Sequence, residues 1–329
     1  MSVTDWLLQG DPAVRWQVMA DLLDEDADAV ARERARVAHE GWGAALLAAR
    51  GPDGQWAGGA HFPTEKPTLP GQPWTSTAHV LTELRLLGVD PADPAVREAI
   101  GDVKRVTRWE YDDEPFFEGE VEPCINGALV TNAVYYGEVD DRIVERLLGE
   151  RMADGGWNCE QERGSVRSSF DTTIGVLEAL AAYERALGGG IDVHGSIDEH
   201  GSIDVHGSID VHRVREARAS GEAYLLERDL LRRRSTGEIP KPTYTQFAFP
   251  PRHEYDALRA LEHFRAVGAM PDERMQEAID LEHAKRLPEC TWPLDLVHGG
   301  DAVNDYGPAG EPNRWITLKA LRVLRWAEG

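Results

Sequence analysis

Charged residues recur where the chain is predicted to begin buried helices. Arg167, Arg252 and Arg314 lie near three such starts, and Glu122 lies near a fourth. Because helix N-termini carry partial positive charge and guanidinium groups bind oxyanions in a bidentate manner, the three arginines would attract a diphosphate or a carboxylate. A partly buried carboxyl at Glu122 could serve as a general acid. The sequence therefore predicts an anion site or an acid at one end of these helices, with salt bridges between repeats as the structural alternative.

Three segments share a pattern of an arginine, an acidic residue three positions later and a tryptophan six positions after the arginine. They run from Arg50 to Trp56, from Arg151 to Trp157 and from Arg286 to Trp292. Internal similarity of this kind is typical of helical repeat proteins. We expect each arginine to bond the end of the preceding helix and to pair with the acidic residue three positions on.

A polar residue that can cap a helix stands at the predicted start of each of five buried helices. These residues are Thr77, Asn126, Asp171, Asp256 and Thr317. Apolar residues follow them at helical spacing, and no run of alternating β-branched residues indicates a sheet. We therefore predict an all-α protein with one domain over residues 1–329, in which buried helices beginning at these residues alternate with amphipathic helices.

The turn from Asp154 through two glycines to Trp157, set between an outer and an inner helix, resembles the QW repeats of squalene and oxidosqualene cyclases. The resemblance covers about residues 41–326. It implies an α/α toroid, in which a ring of inner helices is surrounded by outer helices and a ligand cavity lies at the inner-helix N-termini. All three copies carry arginine where the family usually has glutamine.

The resemblance also implies a site. Cyclases carry an Asp-x-Asp-Asp-Thr-Ala motif at an inner-helix start, and Asp171 and Thr172 match its last Asp and its Thr, whereas Phe170 stands at the proton-donating position. Glu122 and Asp171 are therefore the candidate catalytic residues. The remaining candidates would bind the ligand at a charged rim or in an apolar, aromatic chamber beneath it: Arg167, Arg252, Arg314, Asp256, Asn126, Trp74, Phe170, Tyr255 and Trp315.

Three functions remain open. The first is metal-free, acid-initiated cyclisation of an isoprenoid, and the second is binding of an isoprenoid or similar apolar molecule without catalysis, which Phe170 favours. The third is a zinc-dependent transferase like the toroid prenyltransferases, whose zinc ligands are Asp, Cys and His, or, in lanthionine cyclases, Cys, Cys and His. Cys124, Cys159 and His253 lie near inner-helix starts but not in the family's pattern, so we predict no metal and no other cofactor.

The composition limits the possible partners. The chain has 35 basic and 58 acidic residues and a formal net charge of -23, which disfavours nucleic acid and anionic lipid. We expect no secretion signal and no transmembrane segment, because no stretch reaches the roughly 20 apolar residues that a membrane span needs. Three scattered cysteines are typical of a reducing cytoplasm, where we predict the protein to be located. The sequence leaves its oligomeric state open.

Residues 189–212 contain a tandem hexapeptide of the type Gly-Ser-Ile-Asp-Val-His. We interpret it as a low-complexity insertion in a surface loop, whose deletion would change stability little. Its paired Asp and His side chains could bind zinc or nickel weakly, which is the alternative.

Overall fold

The computed structural model of the chain describes residues 2–187 and 209–329. Its first seven α-helices are α1 (Val3–Leu8), α2 (Pro12–Asp21), α3 (Ala27–Ala35), α4 (Gly41–Ala48), α5 (Thr77–Leu87), α6 (Pro94–Val106) and α7 (Pro123–Tyr136). The next six are α8 (Asp141–Gly149), α9 (Phe170–Leu187), α10 (Val211–Leu226), α11 (Ala257–Ala266), α12 (Gln276–Ala284) and α13 (Arg314–Ala327). Over these residues β-structure is limited to isolated bridges, so the prediction of a helical protein is confirmed.

The three tryptophan turns are built by the same hydrogen bonds. Trp56, Trp157 and Trp292 are fully buried, and each donates its indole N–H over 2.7 Å to the carbonyl ten residues earlier. That carbonyl lies in the preceding helix, α4, α8 or α12, near its C-terminal end. A buried indole N–H must find an acceptor, and helix-end carbonyls lack one intrahelical partner, so the repeated tryptophan satisfies both groups at once.

A buried threonine joins each turn to the next helix. The backbone N–H of Trp157 donates to the Thr173 hydroxyl over 3.0 Å, and the same bond links Trp56 to Thr77 at 3.2 Å and Trp292 to Thr317 at 2.9 Å. All three threonines are fully buried. These three threonines are therefore equivalent positions: Thr77 and Thr317 are predicted helix-start residues, whereas the equivalent residue after the Trp157 turn is Thr173 and not Asp171.

The predicted helix starts are correct only in part. Asp256 is the N-cap of α11 and accepts the Arg259 N–H over 2.8 Å. Thr77 and Asp171 are the first and second residues of their helices, but Asn126 and Thr317 lie one turn inside α7 and α13. The N-cap residues of α5, α7 and α13 are instead Ser76, Glu122 and Asn313. Apolar spacing therefore identified the helices but not the residues at which they begin.

The predicted pairing of each repeat arginine with the acidic residue after it is wrong. Arg50 pairs with Glu98 at 2.8 Å and with Asp102 at 3.0 Å, both on α6. The residue expected to pair with it, Asp53, instead accepts the Gln55 N–H within the turn. The other two arginines follow suit: Arg151 approaches Glu216 of α10 at 3.5 Å, and Arg286 lies over the Trp292 ring. In two copies the arginine thus pairs with an acidic residue of another helix, α6 or α10.

One series of helices lies in consecutive contact. Helix α5 packs against α7, α7 against α9, α9 against α11, α11 against α13, and α13 against α2. The end of α5 is also bonded to α2, because Trp16 and Gln17 donate to the carbonyls of Leu87 and Leu86 over 3.0 and 3.2 Å. Between α7 and α9 the backbones approach so closely that a Cβ on Gly127 would lie 2.9 Å from the carbonyl carbon of Gly175.

Buried charges connect the helices of this series. Arg259 of α11 pairs with Glu178 of α9 at 2.7 Å. Arg322 of α13 bonds Asp21 of α2 at 2.8 Å and Glu262 of α11 at 2.6 Å. Removing one partner of such a pair would leave an unpaired buried charge, which is strongly destabilising. Ion pairs therefore link α9 to α11, α11 to α13 and α13 to α2.

The predicted insertion, residues 189–212, extends too far at its C-terminal end. Residues 189–208 lie outside the described residues, whereas the last residues of the range belong to the fold. Ile209 is 4% exposed and packs in the core, and Asp210 caps α10 by accepting the His212 N–H over 2.9 Å. The hexapeptide pattern in the sequence continues to His212, inside α10, so the pattern alone does not show where the insertion ends.

Among the described residues, no helix combines the length and the apolar character needed to cross a bilayer.

Candidate functional site

A cleft of about 820 Å³ lies where α7 and α9 begin. Its other wall is formed by residues that follow the Trp157 turn and by residues at the end of α10 and beyond it. Four of the predicted site residues line it: Glu122, Arg167, Phe170 and Asp171. The structure therefore brings these four residues to one place.

Two cysteines and a carboxylate meet in this cleft. Cys124 is the second residue of α7, and its thiol donates to the Glu122 carboxylate over 3.5 Å. Cys159 begins a short 3-10 helix (Cys159–Gln161), and its sulfur lies 3.4 Å from the Thr172 hydroxyl. The ligand atoms of Glu122, Cys124 and Cys159 all lie within 4.8 Å of one another. All three residues are half-buried, and together they could hold a metal ion.

The two thiols differ in their acidity. The neighbouring Cys124 lowers the pKa of Cys159 against the opposing effect of burial, and the Thr172 hydroxyl lowers it further. The bond to Cys159, together with burial, raises the pKa of Cys124. Cys159 is therefore the thiol that ionises first, and the thiolate form is the one that attacks electrophiles and binds metals.

Asp171 is fully engaged in bonds within the protein. Its carboxylate accepts from the Lys241 ammonium at 2.7 Å, from the Tyr244 hydroxyl at 3.1 Å and from the Tyr255 backbone N–H at 2.9 Å. These donors come from the chain segment between α10 and α11. Asp171 thus attaches that segment to the start of α9, which is a structural task for a residue that the resemblance placed in a catalytic motif.

Basic side chains surround an aromatic surface in the cleft. Arg167 and Arg233 are exposed and make no ion pair or side-chain hydrogen bond with any residue that the structure describes. Arg228 lies over the Tyr224 ring at 3.6 Å. Phe170 contacts the rings of Tyr224 and Tyr244, with centroids 5.8 and 5.2 Å apart. The cleft therefore offers unpaired positive charge beside a cluster of aromatic rings.

The other two predicted arginines have partners elsewhere and do not line the cleft. Arg252 pairs with the buried carboxylate of Glu83 and lies 4.7 Å from the Trp74 ring. Arg314 donates to the Trp6 carbonyl over 3.1 Å and lies over the ring of the same residue. The cluster of three arginines expected from the sequence is therefore reduced to Arg167.

The remaining predicted ligand-binding residues pack or bond inside the fold. Asn126 is buried and bonds the backbone of Glu120 through both amide atoms. Asp256 caps α11, and burial raises the pKa of its carboxyl. Trp315 stacks on Phe249 at 4.2 Å, and two further aromatic residues are buried, Tyr255 and Trp74. None of these side chains lines the cleft.

Imidazoles surround Trp74 next to the cleft. His79, His253 and His298 lie 4.9, 5.7 and 5.9 Å from its ring centroid, and His61 lies 4.6 Å from His79. Burial lowers the pKa of all four histidines. For His298 the nearby charge of Arg252 contributes, and its pKa falls to about 4. The group is therefore neutral near pH 7.

The sequence did not predict the wall of the cleft that is formed by the end of α10 and the segment after it. Its residues are Tyr224, Arg228, Arg233, Lys241 and Tyr244. They lie at the end of α10 and in the irregular segment after it, where no periodicity marks them. The two cysteines could be identified from the sequence as lying near helix starts, because Cys124 stands two residues after Glu122 and Cys159 stands two residues after Trp157.

No protein-family model matches this chain, and no curated protein sequence matches it.

Proposed function

We propose that this chain is an α/α-toroid protein whose cleft binds a small anionic molecule with an apolar portion, of the isoprenoid diphosphate class. The observation that carries the proposal is the pair of unpaired guanidinium groups, Arg167 and Arg233, beside the aromatic surface of Phe170, Tyr224 and Tyr244. Guanidinium groups bind phosphate oxygens in a bidentate manner, and aromatic rings contact an apolar chain.

The toroid part of the proposal is supported by the order of helix contacts. The series from α5 through α7, α9, α11 and α13 continues to α2, and α2 is hydrogen-bonded to the end of α5. A ring of inner helices would produce this cyclic order. The amphipathic helix α6 supplies the acidic partners of Arg50, as expected for an outer layer.

If the bound molecule is also transformed, Glu122 is the acid. Its carboxylate has one side-chain partner among the described residues, the Cys124 thiol, and so remains available to a ligand. Asp171 already accepts three hydrogen bonds from the protein, which keep its carboxylate ionised and make it a poorer proton donor than Glu122. Acid-initiated cyclisation would therefore depend on Glu122, whereas simple binding would not.

Binding is tested by calorimetric titration of the full chain with farnesyl diphosphate, farnesol and inorganic diphosphate. We expect farnesyl diphosphate to bind best, because it fills both parts of the cleft. Replacing Arg167 and Arg233 together by alanine should weaken its binding by at least roughly 100-fold, since each lost hydrogen bond to a charged group contributes about 1.5–3 kcal/mol. Farnesol binding should be unchanged.

Arg105 provides the matched control, because it is exposed, does not line the cleft and pairs with Asp102 on α6. Arg105→Ala should bind farnesyl diphosphate as the unmodified protein does. Equal weakening by this variant, or no weakening by the double variant, would refute an anion site at Arg167 and Arg233.

Catalysis is tested separately by incubating the protein with farnesyl diphosphate and analysing the products by mass spectrometry. Glu122→Gln keeps the shape of the side chain and removes its proton. If the protein is a cyclase, this variant should bind normally and form no product. Turnover that survives the substitution would exclude Glu122 as the acid, and absence of turnover in the unmodified protein would favour the binding function.

A further inference from the structure

We propose that Glu122, Cys124 and Cys159 form a zinc site in the wall of the cleft. The inference rests on the positions of these three side chains and does not need the proposed organic ligand, but it excludes Glu122 as the acid of a cyclisation, because a carboxylate that binds zinc carries no proton. The set also differs from those implied by the resemblance, because it contains a glutamate and two cysteines and no histidine.

The separations agree with a shared ion. A tetrahedral zinc ion lies about 2.3 Å from a thiolate sulfur and about 2.1 Å from a carboxylate oxygen, which places these two ligand atoms about 3.6 Å apart. The observed separation between the Cys124 sulfur and the Glu122 oxygen is 3.5 Å. No ligand atom of the three lies more than 4.8 Å from another. Small side-chain rotations would therefore suffice to complete the coordination.

The backbone holds the ligands in place. Glu122 is the N-cap residue of α7, and its N–H donates to Glu120 over 2.7 Å. Cys124 follows in the first turn of the same helix. The backbone N–H of Cys159 donates to the Thr172 hydroxyl of α9 over 3.3 Å. Two helices and the Trp157 turn thus bring together residues that are 35 positions apart in the sequence.

Thr172 orients the second thiolate. Its hydroxyl oxygen accepts bonds from the Cys159 N–H and from the Ser169 hydroxyl, the latter over 2.9 Å. Its own proton is therefore available to the Cys159 sulfur, 3.4 Å away. Hydrogen bonds of this kind to metal ligands typically change metal affinity by 10- to 100-fold on mutation.

The donor set selects the metal and its mode of binding. Thiolate ligands favour zinc over magnesium and calcium, which prefer oxygen. Three protein ligands leave the fourth tetrahedral position for water or for a ligand atom, as in zinc sites that act on substrates. Since all three residues line the cleft, that position would face bound molecules.

The test uses the full chain, stripped with a chelator under reducing conditions and titrated with Co²⁺ and then with Zn²⁺, with no organic ligand present. We expect one equivalent of Co²⁺ to produce thiolate-to-cobalt charge-transfer bands, and Zn²⁺ to abolish them. The bands are specific to cysteine ligands, so histidines of the hexapeptide segment do not interfere.

Variants identify the ligands. Cys124→Ala and Cys159→Ala should each lose the site, and Glu122→Ala should weaken Co²⁺ binding at least tenfold. Thr172→Val should weaken binding by roughly 10- to 100-fold while keeping the bands. Cys290→Ala is the control and should behave as the unmodified protein, because Cys290 lies outside the cluster.

Absence of the bands in the reduced, folded protein would overturn the proposal. Bands that persist in Cys124→Ala and also in Cys159→Ala would overturn it as well. If the isolated protein is two mass units lighter and binds Co²⁺ only after reduction, it contains a disulfide between Cys124 and Cys159. This result would also support the site, because it requires the two sulfur atoms to lie close together. Because the titration contains no farnesyl diphosphate, failure of the proposed function and failure of the zinc site are separately visible.

Discussion

Replacing Thr173 by valine should destabilise the protein by removing the connection between the Trp157 turn and α9. The fully buried Thr173 hydroxyl accepts the Trp157 N–H over 3.0 Å and donates to the Trp157 carbonyl over 3.3 Å. Valine keeps the shape of the side chain but can form neither bond. The Trp157 N–H is then left buried without an acceptor.

The expected magnitude follows from these two bonds. A buried unsatisfied N–H costs about 1–3 kcal/mol and the lost hydroxyl bond about 1 kcal/mol, for a total of about 2–4 kcal/mol. Unfolding entropy of about 2.1 cal/mol/K per residue gives about 0.7 kcal/mol/K for 329 residues. The melting temperature should therefore fall by about 3–6 °C.

Differential scanning calorimetry would measure the change. Thr77→Val and Thr317→Val should show losses of the same order, because they remove the same bond from the other two turns. Thr236 is exposed, and Thr236→Val is the control, which should change the melting temperature by less than about 1 °C. A Thr173→Val protein that melts within 1 °C of the unmodified protein would refute the structural role of these threonines.

Three further outcomes are expected. Because burial and the charge of Arg252 lower the pKa of His298 to about 4, its neutral form stabilises the fold above the unfolded pKa of about 6.5, and this contribution is lost as pH falls towards 4. The melting temperature should thus drop between pH 7.5 and pH 4.5, and drop less in His298→Gln. Burial raises the pKa of Glu282 to about 9, so the stability of the folded state decreases as pH rises from about 4.5 to 9; Glu282→Gln should raise the melting temperature at pH 8 more than at pH 5. Ile209→Ala should cost about 2–4 kcal/mol, or about 3–6 °C by calorimetry, whereas Val166→Ala, at an 81% exposed position, should have no effect.

The sequence was sufficient to predict the helices and the repeated turns. A tryptophan at a fixed distance after a helix has local consequences, because its indole N–H reaches a carbonyl only ten residues away. Apolar spacing likewise identifies a helix from its own residues. Apolar spacing did not define the ends of the helices, and the threonine bonded to the second tryptophan turn, Thr173, lies two residues beyond the predicted position at Asp171.

Partners of charged residues could not be read from the sequence, because they come from elements that are distant along the chain. Arg50 pairs with α6 rather than with Asp53, and Arg252 pairs with Glu83, 169 residues away. A guanidinium group bonds whichever carboxylate the packing of helices brings near it. Equivalent positions in the repeats therefore did not carry equivalent roles.

The sequence by itself determined that this protein is helical, that tryptophan turns join its helices, and that Glu122, Arg167, Phe170 and Asp171 belong near one another at helix starts. Only the tertiary structure decided which of these side chains are free and what faces them. It placed Cys159 beside Cys124 and added the basic and aromatic wall at the end of α10 and beyond it. Helix formation depends on neighbours along the chain, whereas a binding site depends on distances between segments, which are fixed only when the helices pack.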